Sequence, residues 1–326
     1  MRLLILGGTR FVGRHLAQAA LEGGWDVTLF NRGRHDSRAF PDAEQRIGDR
    51  DGGLGALANG SWDVVVDTCG YVPRIVRASA ELLASRIGLY VYISSASVYA
   101  DKSQPGLTED APLVELDNPT SEDVEADYDG LKAACEQAVQ ESVDGRAAIV
   151  RPGLIVGPHD PTNRFTYWVT RMAAGGDVLA PEPAAQPAQV IDARDLAEWV
   201  LRLAAADGAG IYNAVGDVST MGEVLSTIAA ATGGGARLRW IEERRLLGAG
   251  LEPWRDVPLW LAPGTDPSYR GFLAMSNARA KAAGLQLRPL AETVRDTLEW
   301  ARRAPAPADR QAGLDPKVER RLLGDG

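Results

Sequence analysis

The chain has 326 residues, of which 45% are hydrophobic and 24% charged, and its net charge is −9. That is enough chain to bury a large core. The acidic balance argues against a nucleic-acid partner, whose phosphates require clustered Lys and Arg. No run reaches the roughly 18 apolar residues of a membrane span. The N-terminus lacks the cationic start and small-residue cleavage site of a signal peptide. Cys69 and Cys135 are too few for a disulfide framework, so a reducing, cytoplasmic setting without a membrane is expected.

Strand and helix patterns alternate through the first half, as in an α/β fold with a doubly wound parallel sheet. Leu3 to Leu6 is an apolar run that fits a strand buried on both faces. Gly7 and Gly8 follow, then Thr9, Arg10, Phe11, Val12 and Gly13, with apolar residues at helical spacing from Phe11 to Leu21. Strand, glycine turn and helix N-terminus together make a pyrophosphate site, because free backbone N–H groups and the helix dipole face the anion there. Arg10 stands where the usual fingerprint has a middle glycine. Its side chain must point away or itself contact phosphate.

Trp25 to Phe30 reads as a second strand that ends at Asn31, Arg32, Gly33 and Arg34. An acid at that edge would bind the ribose 2′-hydroxyl of NAD. Asn31 and Arg32, with Arg10 and Arg34 nearby, favour a 2′-phosphate instead, so NADP is expected and NAD remains possible. A short third strand around Arg46 would place Asp49 near the adenine amino group. Trp62 to Asp67 is a fourth strand leading into Cys69 and Gly70. There glycine would let the backbone pass close to the cofactor, and Cys69 packs rather than reacts. Pro73 to Ile87 reads as an amphipathic helix with Ile75, Ala78, Leu82 and Leu83 on one face. Leu89 to Ile93 is a fifth strand ending in Ser94, Ser95, Ala96 and Ser97, and a polar loop runs from Asp101 to about Pro119.

Tyr128 and Lys132, four apart, share a helix face in the next helical stretch. Glu122, Asp123, Glu125, Asp127 and Asp129 crowd its start, where the dipole tolerates acids. A tyrosine is a poor acid–base group at neutral pH, but a neighbouring Lys⁺ and an oxidised nicotinamide would lower its pKa. A serine hydroxyl from the fifth strand can hold the substrate oxygen beside the phenol while hydride moves at the same carbon. Arg146 to Val150 is a sixth strand, followed by Pro152 and Gly153.

The second half is less regular. Helices are expected at 165–174, 194–206, 220–232 and 290–302, short strands at 188–192 and 211–215, a linker at 304–308 and a last helix at 316–323. Trp254, Trp260 and Phe272 lie in an irregular, proline-containing stretch, and at least one of them is expected to wall the substrate cleft. His15, His35 and His159 have no nucleophile motif beside them, and no His or Cys pair has metal-ligand spacing, so hydrolase and metal chemistry are unsupported.

On the Gly7–Gly13 turn, Ser94 to Tyr99, the Tyr128/Lys132 pair, Arg151 to Pro158 and Val190 to Ala197, the sequence resembles the short-chain dehydrogenase/reductase superfamily. It is similar to the extended or atypical branch known as the NAD-dependent epimerase/dehydratase family. The resemblance spans roughly residues 1 to 300. It implies a Rossmann-type sheet over 1–155, with 188–215 returning to it, a smaller C-terminal substrate lobe from 156–187 and 216–303, and a tail at 304–326. Ser95, four residues before Tyr99, carries over as the catalytic hydroxyl, Tyr128 as the base and Lys132 as its partner. Pro152 carries over as a backbone element beside the nicotinamide, and Ser94 is expected to bind the cofactor. The Ser95-to-Tyr128 spacing is longer than usual for the family, which suggests that the polar loop forms part of a lid. Acidic residues that would support dehydration are absent after Ser95. An NADPH-dependent carbonyl reductase is therefore expected, acting on a small carbonyl or secondary alcohol. A nucleotide-sugar epimerase is the alternative, and an NADP-binding or RNA-associated scaffold is the reading from another class, since chloroplast RNA-binding relatives share the Gly-Gly-Thr-Arg-Phe start. A homodimer built on helices near 75–87 and 128–143 is possible, although those apolar faces could equally pack inside one chain.

Overall fold

A computed structural model describes residues 1–34, 39–304 and 312–324; His35 and most of the 304–308 linker lie outside the described residues. The first half runs β1 (Arg2–Leu6), α1 (Phe11–Glu22), β2 (Asp26–Asn31), β3 (Glu44–Ile47), β4 (Trp62–Asp67), α2 (Pro73–Leu83), β5 (Ile87–Ile93), α3 (Tyr128–Ser142) and β6 (Ala147–Pro152). It continues through β7 (Leu154–Val156), α4 (Thr166–Ala173), β8 (Gly176–Pro181), β9 (Pro187–Ala188), β10 (Val190–Asp192), α5 (Ala193–Ala205) and β11 (Gly210–Ala214). The chain closes with β12 (Ser219–Thr220), α6 (Met221–Thr232), β13 (Ala236–Ile241), α7 (Glu243–Gly248), α8 (Ala278–Ala282), α9 (Leu290–Arg303) and α10 (Pro316–Leu323).

Seven strands form one sheet in the order β11-β6-β5-β4-β1-β2-β3, every pair parallel. The apolar runs of β1, β4 and β5 alternate between two cores. Leu3, Ile5, Val64, Val66, Leu89 and Val91 face one core with α1 and α5 residues such as Leu16 and Val200. Leu4, Leu6, Val65, Tyr90 and Tyr92 face the other with Val76, Leu83, Cys135 and Val139. Strands covered on both faces must be apolar throughout, which is why they stand out in the sequence. Strand order reverses between β1 and β4, and in such sheets the crevice beyond the carboxyl ends at that point is where ligands bind.

A further core gathers Phe165, Trp168, Leu179, Val224, Ile228, Trp260, Val294 and Leu298 from the second half. There β8 and β13 form a parallel pair that the sequence reading missed. Exposed Arg237 and Arg239 alternate with Ala236, Leu238 and Trp240 along β13, and both ion-pair with Asp177 of β8. The α10 helix joins this core through Leu322 and through Glu319, which accepts from Arg171 Nε (2.7 Å) and Leu179 N–H (3.1 Å).

Two sequence expectations shift. The buried stripe of α2 is Val76, Ser79, Ala80 and Leu83, not the face with Ile75, Ala78 and Leu82. Ser79 is buried because Arg50 bonds its hydroxyl, and a stripe counted from apolar residues alone passes over it. The helix of 73–87 also ends early, and β5 begins at Ile87. The apolar faces of α2 and α3 pack into their own chain's core. No described helix is long and apolar enough to cross a membrane.

Candidate active site

At the β1–α1 turn Gly7 and Gly8 take φ of 109° and 93°. A Cβ on Gly7 would stand 2.4 Å from Thr68 Oγ1, and one on Gly13 would stand 2.7 Å from the Gly8 nitrogen. Both positions therefore require glycine. Arg10 needs none: its backbone is extended (φ −129°, ψ 145°) and its side chain exposed. The strained conformation falls on the next residue, Phe11, with φ 34°. Thr9 is half-buried, and Val12 packs against the α1 side of the sheet.

At the end of β2, the Asn31 side chain accepts the Gly33 N–H (2.8 Å) and donates to Gln45 (3.3 Å), so it shapes the loop. Arg32 and Arg34 stand exposed beside it. Asp49 is exposed after β3 and accepts the Asp51 N–H at 3.0 Å. Beyond β4, the carboxylate of Asp67 holds Arg50 on both oxygens (2.7 and 2.5 Å) and accepts the Tyr90 hydroxyl and the Cys69 N–H. This buried set fixes the Cys69–Gly70 turn. Burial pushes the Cys69 thiol up, consistent with packing. The crowding that demands glycine at Gly70 comes from Tyr92 and Val76, 2.7 and 2.8 Å from a built Cβ.

Tyr128 is the first residue of α3, so the acids before it lie outside the helix. Asp123 and Ser121 instead bond the turn leading in, and only Asp129 occupies the first helical turn. Ser95 ends the β5 segment, its Oγ accepting the Ser97 N–H (3.1 Å) and standing 2.9 Å from Ser97 Oγ. Burial raises the Tyr128 phenol above its ordinary value, the Ser95 side chain beside it pulls it down, and Asp129 raises it. That sign is opposite to the lowering expected from Lys132. The Lys132 ammonium, 3% exposed, donates to the carbonyls of Gly70 (2.9 Å) and Ile93 (2.7 Å) and lies 4.4 Å from the Tyr92 ring centre. Desolvation lowers it to about 8. Ser95 and Tyr128 thus lie side by side, and Lys132, one turn further along α3, is bonded to the backbone beyond β4 and at the end of β5.

Several participants were not anticipated. Tyr71 is exposed and its ring centre lies 6.3 Å from that of Tyr128. Lys102, buried, donates to Ser97 O (2.7 Å) and Asp129 (3.0 Å), joining the Ser95 turn to the first turn of α3. Ser94 turns its hydroxyl to Glu136 (2.5 Å), which also holds Arg151 (2.6 Å). Arg151 reaches the Tyr99 hydroxyl and Glu109 O, and Tyr99 donates to Asn213 of β11. The polar loop is thereby fastened to the sheet beside Pro152, the buried last residue of β6. Glu136 was legible in principle: it extends the Tyr128–Lys132 stripe by another four residues. Lys102 and Tyr71 carry no spacing signal, because loops bring them in. Of the aromatic trio, Trp260 is fully buried in the second-half core, whereas Trp254 and Phe272 are half-buried and meet edge to face at 5.9 Å.

Several known proteins are similar to this chain. The chloroplast stem-loop binding protein of 41 kDa b of Arabidopsis thaliana is 29% identical over 72% of this chain and 63% of its own length. A 2-alkyl-3-oxoalkanoate reductase of Stenotrophomonas maltophilia (strain K279a) is 30% identical over 49% of this chain and 52% of its own. The chain therefore spans between half and two thirds of these curated relatives. The solved UDP-glucuronic acid 4-epimerase of Bacillus cereus, in complex with NAD, superposes with a TM-score of 0.67 at 14% identity, covering 93% of this chain and 99% of that one. The model of the NAD dependent epimerase/dehydratase family matches residues 52–214, half of the chain. With its parallel sheet and glycine turn, the chain belongs to the NAD dependent epimerase/dehydratase family.

Proposed function

We propose that the chain transfers hydride between NADPH and the carbon of a small-molecule carbonyl or secondary alcohol, working mainly as a carbonyl reductase. What supports this reading is the Ser95 hydroxyl beside the Tyr128 phenol, with Lys132 one turn along the same helix, at the carboxyl edge of the sheet. The nicotinamide supplies or takes the hydride when bound. Gly7 to Gly13 would hold its pyrophosphate, and Arg32 with Arg10 the 2′-phosphate. Ser95 aligns the substrate oxygen, and Tyr128 gives or takes the proton at that oxygen. Lys132 would carry positive charge one turn along α3 from Tyr128, donating to two backbone carbonyls with one N–H left for the ribose.

The reductase name of the Stenotrophomonas relative supports the reducing direction. The epimerase reading is favoured by the Bacillus neighbour, and in it hydride leaves and returns on the same cofactor. Consumption of NADPH in step with product separates the two: a reductase oxidises one NADPH per turnover, an epimerase none. Tyr128→Phe keeps the ring and its packing. NADPH affinity should change little while turnover falls about 10²–10⁴-fold; wild-type turnover in that variant would sink the proposal.

A further inference from the structure

Lys102 lies in the loop after Tyr99 and is only 7% exposed. A lysine is almost never that buried unless its charge is paired. Its ammonium donates to the carbonyl of Ser97 at 2.7 Å and to Asp129 Oδ2 at 3.0 Å, and it lies 5.6 Å from the Tyr269 ring centre. These partners belong to three parts of the chain: the Ser95 turn, the first turn of α3, and the segment between α7 and α8.

The loop does not need this ammonium to stay in place. Gly271 N–H donates to Lys102 O (2.7 Å), Gly106 N–H to Ala274 O (2.7 Å) and Ser276 N–H to Leu107 O (2.9 Å). A Cβ on Gly271 would collide with Gln104 O, so the two segments touch backbone to backbone. Further on, Glu109 accepts the Asn213 N–H at 2.8 Å and ties the loop to β11. Those bonds account for the loop and not for a buried charge within it.

The charge matters for what its two partners hold. Ser97 keeps Ser95 Oγ in place through its N–H (3.1 Å) and its hydroxyl (2.9 Å). Asp129 follows Tyr128 directly; burial holds the phenol above its ordinary value, the Ser95 side chain opposes this, and the charge of Asp129 adds to it. The other titratable groups brought here by the packed elements are Tyr71 beyond β4, Lys132 on α3 and Asp127 just before it. Lys132 is bonded to the carbonyls of Gly70 and Ile93, and Asp127 accepts from Ser121. Lys102 is the cation bonded to Asp129. A phenol that gives up its proton becomes phenolate, which a bare carboxylate alongside disfavours. We propose that Lys102 is a positioning residue of this site: it holds the Ser95 turn against the first turn of α3 and neutralises Asp129, so that the phenol of Tyr128 faces no unpaired carboxylate. This rests on the hydride-transfer reading only for what Ser95 and the phenol do.

The test needs neither cofactor nor substrate. The full chain carrying 3-fluorotyrosine, whose phenol ionises at lower pH than that of tyrosine, is titrated by fluorine NMR. The Tyr128 signal is assigned by its absence in Tyr128→Phe. Lys102→Met leaves Asp129 bare and lowers the ionisation constant of Tyr128 about three- to tenfold. Lys102→Gln, which can still donate to Ser97 O but carries no charge, does the same and stands in if the Met variant does not fold. Asp129→Asn leaves the ammonium bare and raises the constant by about the same factor. The double variant Lys102→Met/Asp129→Asn returns to within about threefold of the wild type, as does Lys102→Arg. Shifts of opposite sign are what charge produces. Lost packing alone would admit water to the phenol in every variant and raise the constant in all of them. The proposal is overturned if Lys102→Met or Lys102→Gln leaves the constant unchanged or raises it, or if Asp129→Asn lowers it. It is also overturned if Lys102→Arg titrates like Lys102→Met, or if the double variant departs from the wild type more than either single one. No turnover is read, so failure here counts against Lys102 alone, and failure to find a reduced carbonyl counts against hydride transfer alone.

Discussion

Lys132 joins charge, burial and chemistry in a single side chain. Desolvation takes its ammonium down to about 8 from the ordinary 10.5, even with two carbonyls accepting from it. Between those values the unfolded chain carries a proton that the folded chain lacks, so this group makes stability rise with pH across that window. Urea unfolding of wild type and Lys132→Met at about pH 7.5 and 9.5 isolates the term, since other groups cancel in the difference. The balance should move in favour of the wild type at the higher pH; a constant difference would show that the folded ammonium titrates normally. At the adenosine end, Arg32→Ala should weaken NADPH binding about ten- to a hundredfold while NADH changes little, because only NADPH loses a charge-assisted contact. Parallel titrations with the two cofactors decide this. Tyr128 and Lys132 stand out because helical spacing puts them on one face, and Ser95 by the family's four-residue offset from Tyr99 just beyond an apolar strand. Lys102, Tyr71 and the Arg50–Asp67 pair do not, since contacts distant in sequence assemble them.

Between elements, the pair of Glu136 on α3 and Arg151 on β6 is the main polar joint, each side chain 2% exposed. It also gathers Ser94 at the end of β5 and, through Tyr99, Asn213 of β11. Breaking one member of a buried pair leaves the other charge unpaired, which typically costs about 3–5 kcal/mol. Arg151→Met should cost that much by chemical denaturation, and Ser94→Ala only about 1 kcal/mol, the worth of one hydrogen bond. A smaller cost for Arg151→Met would mean that water reaches Glu136. The strands this joint connects were readable, because a sheet covered on both faces leaves uninterrupted apolar runs. The β8–β13 pair shows only in part: Ala236 to Trp240 alternates as a half-buried strand does, but β8 opens on Gly176 and closes on Pro181. The α2 face was misjudged by one position, since a buried serine belongs to it.

For the molecule as a whole, the question is what holds the second-half core to the sheet. The start of α5, which packs with α1 on the sheet, meets α9, which belongs to the other core. Asp192 accepts the Thr293 hydroxyl (2.7 Å), the Arg194 N–H (2.8 Å) and Arg194 Nη2 (2.7 Å), while Arg194 Nη1 reaches Asp296 on α9 (2.5 Å). Arg288, just before α9, bonds Asp195 through both backbone and side chain. Burial works against ionisation of Asp192, but the hydrogen bonds and charge of Arg194, with Thr293, hold its carboxyl below the ordinary range. A carboxylate depressed in the folded state contributes stability above its unfolded value, which is lost as pH falls through the lower folded one. Asp192→Asn keeps the shape and the helix cap but removes the charge. It should cost about 1–3 kcal/mol near neutral pH, less than a fully enclosed pair because Arg194 is partly exposed. The gap between wild type and variant should close as pH falls below about 4, where the wild-type carboxylate is itself being protonated. Calorimetry should also show a broader transition in the variant, with van't Hoff enthalpy falling below the calorimetric value as the two cores begin to melt separately. An unchanged single transition, with a stability gap that persists in acid, would show that apolar packing and not this cluster joins the second-half core to the sheet.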